Sequence, residues 1–190
     1  PIAEMPYRPD TVAPFLAGLL PENRETRERW ARRLGAAEDD LFAMLSVMGW
    51  DCPGAVQFCL PEDLEKLSDR ESSYELVDEG DIAQRLRNLI ADPASWSMPD
   101  EHWSLGGQQE KFALASFDGA WHEAHGGAAT THIIKPGIRV LHHQALVEHV
   151  TMTAASSLGV DIAGNRLMRF DDQWAIVVDR FDRFLGEDGA

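Results

Sequence analysis

The prevailing hydrophobic period of this chain changes between Asp92 and Asp100, and that change limits what it can fold into. Up to about residue 92 the apolar side chains recur at helical spacing; beyond Pro99 they alternate or run in short β-rich blocks. Asp10-Thr11 is an N-cap pair ahead of a short apolar helix over Val12–Leu20. Asn23 to Leu34 follows, with five arginines and nearby glutamates on a solvated face and Trp30 and Leu34 on its buried edge. Asp39-Asp40 caps Leu41–Met48, which is apolar on nearly all sides and therefore expected to be buried, and Gly49 stops it. Gly54 to Leu60 has strand composition and ends at Pro61. Glu79 to Ile90 returns to the helical period through Ile82, Leu86, Leu89 and Ile90.

The second half reads differently. Lys111–Phe117 is a strand that turns at Asp118-Gly119, Trp121 opens the return strand, and Thr131–Lys135 is a third, ended by Pro136-Gly137. A helix over His142–Leu158 precedes two strands, Arg166–Phe170 and Trp174–Val178, around the Asp171-Asp172 turn. The order β-β-β-α-β-β after a helical half predicts an α+β chain. The turn-rich stretch from Asp92 to Asp100 divides it into a helix-rich subdomain, 1–98, and a second domain, 99–190. The opening Pro1-Ile2-Ala3 and the strand-like run closing through Asp179–Leu185 into a Gly/Asp turn predict a piece of a longer protein.

Charge narrows the function classes. Seventeen basic against 32 acidic residues give −15, which opposes direct binding to nucleic acid or to an anionic membrane. No apolar run approaches the ~20 residues that a membrane span needs. With two cysteines, Cys52 and Cys59, and no signal-peptide pattern, a reduced cytoplasmic protein is expected. Only three of the basic residues are lysines, and two of them, Lys111 and Lys135, fall in the most patterned stretches of the second half.

Those stretches carry the chemistry. Ser104-Leu105-Gly106-Gly107-Gln108-Gln109-Glu110-Lys111 precedes a strand, and paired glycines let backbone N–H groups approach an anion closely. Lys135 lies on a different strand, and Glu148 lies one turn into the following helix. Glycine loop, strand lysine and helix glutamate, in that order, is the arrangement of a protein-kinase small lobe. There the loop covers phosphates, the lysine neutralises their charge, and the glutamate holds the lysine.

The same segments resemble the HipA family of toxin serine/threonine protein kinases. The resemblance runs through Ser104–Leu114, Thr131–Pro136 and Val177–Arg183, and through Phe15–Pro21 and Gly54-Ala55-Val56 for that family's N-terminal subdomain. It implies a cytoplasmic bacterial kinase linked to growth arrest and persistence. Such an enzyme uses ATP and Mg²⁺, acts on a protein such as a translation component, and is neutralised by a HipB-like helix-turn-helix antitoxin through which alone it reaches DNA. By position it assigns ATP phosphates to Ser104, Leu105, Gly106 and Gly107, the nucleotide lysine to Lys135 with Glu148, and adenine to the backbone of Asp179 and Phe181. It makes Ser104 a phosphorylation site whose modification would eject the loop. Gly106 and Gln108 replace frequent alanines, Asp179 a usual glutamate, and Val147 a frequent asparagine. The catalytic-loop aspartate and asparagine and the metal-binding aspartate belong to that family's large lobe, and no such motif occurs here, so the 190 residues alone are expected to transfer no phosphate.

Other chemistries are open from the residues. His122 and His125, with His142 or His143, could form a zinc site but lack a cysteine to complete it. Asp171, Asp172 and Asp182 could hold Mg²⁺, although a turn pair and an ion pair to Arg183 explain them more simply. Glu123 and Glu148 have no spacing that marks a hydrolase pair. A non-catalytic module that docks a basic antitoxin is the alternative from another class.

Overall fold

Helix caps set the first half. In the computed structural model the Asn23 side chain accepts from the Thr26 amide to open α2 (Arg24–Leu34), which Gly35 closes in the left-handed region. Asp40 does the same for α3 (Leu41–Met48), accepting from Ala43 N. Before them stands α1 (Pro9–Gly18). After them a single 3₁₀ turn, Pro61–Asp63, runs into α4 (Leu64–Asp69), and Asp78 and Asp81 form a reciprocal capping box at the start of α5 (Glu79–Ala91). The structure describes residues 8–37, 39–54, 56–69, 73–92, 94–95 and 101–183. The boundary expected at 98/99, Pro1–Ala3 and the closing run from Phe184 onward lie outside these residues.

Among the described residues six strands form one antiparallel sheet: β1 (Ser73–Val77), β2 (Phe112–Phe117), β3 (Ala120–His125), β4 (His132–Pro136), β5 (Asn165–Phe170) and β6 (Gln173–Asp179), in the order β1-β3-β2-β4-β6-β5. The β2–β3 hairpin turns through Asp118 and Gly119, both at positive φ, as a tight two-residue connection demands. The segments expected to share a sheet, Lys111–Phe117 and Thr131–Lys135, do so through Phe112↔Ile134, Ala113↔Ile133 and Leu114↔His132. The α+β class stands.

Alternation across β4 and β6 separates two faces. Ile134, Ala175 and Val177 join the main core with Ile82, Leu86 and Leu89 of α5 and with Trp30, Met44 and Met48 of the N-terminal helices. Ile176 and Val178 face the other way, against Ala145 of α6 (Gln144–Ser157). Lys135, opposite Ile176 in the register, therefore points to the α6 side.

Four expectations need correction. Helix α1 starts at Pro9 with Arg8 at its N-cap, so Asp10 and Thr11 lie in its first turn and do not cap it. Residues 56–60 belong to no strand; Phe58 N donates to Gly49 O, and this segment finds no neighbouring strand to pair with. Helix α3 is not buried all round, since Phe42 is exposed while Met44, Leu45 and Met48 are buried. An unforeseen strand from the first half, β1, pairs with β3 from Ser73↔His125 to Val77↔Trp121 and forms one edge of the sheet. No helix among the described residues is long and apolar enough to cross a membrane.

Candidate functional site: a cleft between the glycine loop and the end of β6

Between the loop before β2 and the chain leaving β6 lies a cleft of about 330 Å³. Leu105 and Gly106 form one wall, Asp179 and Phe181 the other, with Lys111 and Lys135 between them. Ile133, Ala163 and Val178 give it an apolar side. Phe181 stands out into solvent at its mouth.

The loop is held from outside the sheet. Ser104 is fully buried, its amide donates to Asp51 O at 3.1 Å, and its hydroxyl donates to Leu19 O. Gly107, at φ 97°, bridges to Pro21, and its carbonyl accepts from Glu22 N at 3.0 Å. Gly106 packs so closely on the turn after α1 that a Cβ there would overlap the Gly18 carbonyl oxygen. The glycine thus permits contact with the protein's own backbone as well as with the cleft. Ser104 and Gly107 lie behind the cleft lining rather than in it.

Lys135 Nζ lies 2.8 Å from Glu148 Oε1, and both side chains are about one-fifth exposed. Gln144, one turn earlier on α6, donates from Nε2 to Glu148 Oε2 at 2.9 Å. Gln109 Nε2 in turn donates to Gln144 Oε1 at 3.2 Å and to Pro136 O at 3.0 Å, which ties the glycine-rich segment to the same helix. Lys111 Nζ donates to Gly106 O at 2.8 Å. Burial, and then the charge of Lys135, push its pKa down to about 8. Two ammonium groups that repel each other on one cleft are a receptive site for a polyanion.

On the opposite wall, Asp179 N donates to Gly164 O at 2.8 Å and Arg180 N donates to Thr131 O at 2.9 Å, fixing the backbone as it leaves β6. Arg180 and Arg183 turn inward onto Asp51 and Asp182. The Arg183–Asp182 pair at 2.8 Å is the simpler explanation of Asp182. Burial pushes its carboxyl up, but the hydrogen bonds from Arg180 and the Gly54 amide, with the charges of Arg180 and Arg183, hold it down to about 2. Asp51 is the residue that sequence reasoning missed; a lone acid after a helix carries no periodic or motif signal.

The remaining candidates are dispersed. His122 stacks on Phe117 with centroids 4.0 Å apart, and His125 lies by Glu75 and Glu123. His142 and His143 stand at the start of α6. Asp171 and Asp172 form the β5–β6 turn, with Asp172 paired to Arg87 at 2.6 Å. Glu123 belongs to the Arg85 ion pair at 3.3 Å and is not brought to Glu148 in any contact. Among the described residues no three His, Cys, Asp or Glu side chains gather as a metal ion would need, and Cys52 and Cys59 are free thiols.

Comparison with known proteins gives one match at each end of the chain. The model of the HipA N-terminal domain matches residues 1–59, and that of the HipA-like C-terminal domain matches residues 103–188. A Sinorhizobium fredii protein named "Putative kinase Y4mE" is 33% identical over 97% of this chain and 44% of its own length. The serine/threonine-protein kinase toxin HipA of Shewanella oneidensis is 30% identical over 90% of this chain and 38% of its own. The solved complex of HipA, HipB and operator DNA from Shewanella oneidensis shares the fold at a TM-score of 0.71 and 28% identity, over 94% of this chain and 40% of that one. The chain therefore spans less than half the length of each. Both halves match in order, and the fold they build is the one seen in that complex: the chain belongs to the HipA family.

Proposed function

We propose that the cleft binds ATP and that the chain is the nucleotide-holding part of a HipA-type serine/threonine protein kinase. The observation that carries this reading is the Lys135–Glu148 pair at 2.8 Å on the same cleft as Leu105, Gly106, Asp179 and Phe181. The residues fit the group. Lys111 and Lys135 supply cationic charge for phosphates, and Ile133, Ala163 and Val178 supply an apolar side for a flat base. Bound ATP supplies the γ-phosphoryl group that a serine or threonine hydroxyl would accept, with Mg²⁺ offsetting its charge.

Each residue of the chain then has a task. Glu148 aims the Lys135 ammonium and is itself aimed by Gln144. Lys111 neutralises phosphate charge from the loop side. The backbone of Asp179 and Phe181 reads the base edge, so the departure from glutamate at Asp179 is harmless. Leu105 and Gly106 close the cleft against water, which strengthens every charge contact inside it. Ser104 is the proposed modification site. Its hydroxyl faces Leu19 O, so a phosphate there requires the loop to leave its seat.

A HipB-type antitoxin is the proposed partner, by likeness to the solved complex, and DNA would be reached through it. A charge of −15 suits a basic protein partner and opposes direct contact with phosphate backbone. A translation component is the proposed substrate class. Calorimetric titration of MgATP into residues 1–190 tests the core of the reading. Weak saturable binding is expected, and Lys135→Ala should weaken it by about tenfold. No binding to the unaltered chain, or an unimpaired variant, would overturn it.

A further inference from the structure

Asp51 is bonded to both walls of the cleft, although it lies in the helical N-terminal half and does not line the cleft. It follows α3 in the turn Gly49-Trp50-Asp51 and is buried. Its backbone runs beside Trp103: Asp51 N donates to His102 O at 3.3 Å, and Asp51 O accepts from Ser104 N at 3.1 Å. Its carboxylate faces the other wall. Oδ2 accepts from Arg180 Nη1 at 2.9 Å, and Oδ1 accepts from Arg183 Nη2. Thr130, at the entry to the strand that carries Lys135, donates to Oδ2 from its hydroxyl at 2.7 Å and from its amide at 3.1 Å. The neighbouring Cys52 carbonyl accepts from Arg180 at 3.1 Å and from Arg183 at 2.8 Å.

We propose that Asp51 is a positioning residue: it sets the spacing between the glycine loop and the run leaving β6, and so tunes nucleotide affinity from outside the cleft. The physical reason is economy of linkage. Backbone contacts fix the loop to Asp51 and side-chain contacts fix the run leaving β6 to the same residue, so a shift of one wall against the other strains either the backbone bond to Ser104 or a charged hydrogen bond to the Asp51 carboxylate. A register error of an ångström between walls is costly for a ligand gripped from both. The consequence for nucleotide rests on the ATP reading above; the linkage of the walls does not.

Two readouts on residues 1–190 separate those claims. Amide hydrogen exchange follows 104–107 and 180–183, and fluorescence titration with an N-methylanthraniloyl ATP analogue plus Mg²⁺ follows affinity. Asp51→Asn keeps the shape but removes the charge and turns one of the two acceptors into a donor, which faces either Arg183 or Arg180 and Thr130. Exchange should accelerate together in both walls while α5 stays protected, and affinity should fall by about tenfold. Thr130→Val, which keeps the ion pairs, should give the same pattern at about threefold. Exchange that changes only around 51–54, or affinity within about twofold of the unaltered chain in a folded Asp51→Asn protein, would overturn the proposal. Should Asp51→Asn not fold, Thr130→Val decides by the same two criteria. If the unaltered chain or Lys135→Ala shows that no nucleotide uses the cleft, the ATP reading fails, and exchange alone decides whether Asp51 joins the walls.

Discussion

The Lys111 ammonium donates to the Gly106 carbonyl at 2.8 Å, so the loop that shapes the cleft is latched by a cation whose own charge is precarious. Burial and Lys135 push its pKa down to about 8 from 10.5. Below about pH 8 Lys111 is charged, and an anion in the cleft offsets its charge; above it Lys111 is neutral and the attraction weakens.

Affinity for MgATP should therefore fall between pH 7 and 9, most steeply near 8, and Lys111→Arg, which cannot deprotonate there, should flatten the fall. Stability of the free protein runs the other way. Between about pH 8 and 10.5 the unfolded chain keeps a proton that the folded chain has lost, so the contribution of this site rises with pH. Urea unfolding of the unaltered chain minus that of Lys111→Met, at pH 7 and pH 10, isolates it. The subtraction removes Cys52, whose thiol burial pushes up to about 12 and whose contribution falls as pH rises from 9. A difference that stays flat across the window would contradict this account.

A buried ion pair under the sheet makes a different prediction. Arg85 on α5 donates to both carboxylate oxygens of Glu101, at 2.7 and 2.6 Å, and lies 4.3 Å over the Phe112 ring. Glu101 is 2% exposed. Arg85→Met removes the two-point partner of a buried carboxylate and should cost about 3–5 kcal/mol in equilibrium unfolding. Arg85→Met with Glu101→Gln should recover much of that loss, because a neutral amide is cheaper to bury than a charge.

Much of this fold is legible in the sequence because its signals are local. Asn23 and Asp40 announce α2 and α3, Gly35 and Gly49 end them, and Asp118-Gly119 can hardly be anything but a hairpin turn. Lys135 and Glu148 meet because a strand and the N-terminal part of the next helix are close in the chain. What is hidden depends on distant partners. Ser73–Val77 is only five residues long and mostly exposed, its Tyr74/Leu76 alternation is too short to mark a strand, and it is held as one by pairing with β3. Gly54–Leu60 has the better strand composition, yet residues 56–60 remain outside the sheet. Asp51 meets Arg180 across 129 positions, a separation no periodicity can report.

Gly106 offers a steric prediction. Alanine there would press its Cβ onto the Gly18 carbonyl oxygen, a backbone atom that cannot swing aside. Gly106→Ala should lose about 1–3 kcal/mol, or else undock the loop. Either result should speed amide exchange at Glu22, whose N–H is held by the Gly107 carbonyl, and at Ser104, whose N–H is held by Asp51. Unchanged melting together with unchanged exchange would show that the loop seats differently.

Glu148 and Lys135 should separate binding from stability. Both side chains are about one-fifth exposed, and pairs with such access to water contribute about 0–1 kcal/mol. Glu148→Gln can still accept from Lys135, and although its NH₂ then faces the Gln144 NH₂, turning over the Gln144 amide relieves that contact, so its melting temperature should stay within a few degrees of the unaltered chain. Its effect on nucleotide should be larger than its effect on folding. Without the carboxylate charge the ammonium is less firmly aimed, and MgATP affinity should drop about threefold, against about tenfold for Lys135→Ala, which removes the cation itself. A purely structural pair would show the reverse: a clear loss of melting temperature and no change in affinity. Calorimetric titration and thermal melts of the two variants side by side distinguish the outcomes, and a Lys135→Ala protein that melts early yet binds MgATP normally would assign the pair to the scaffold.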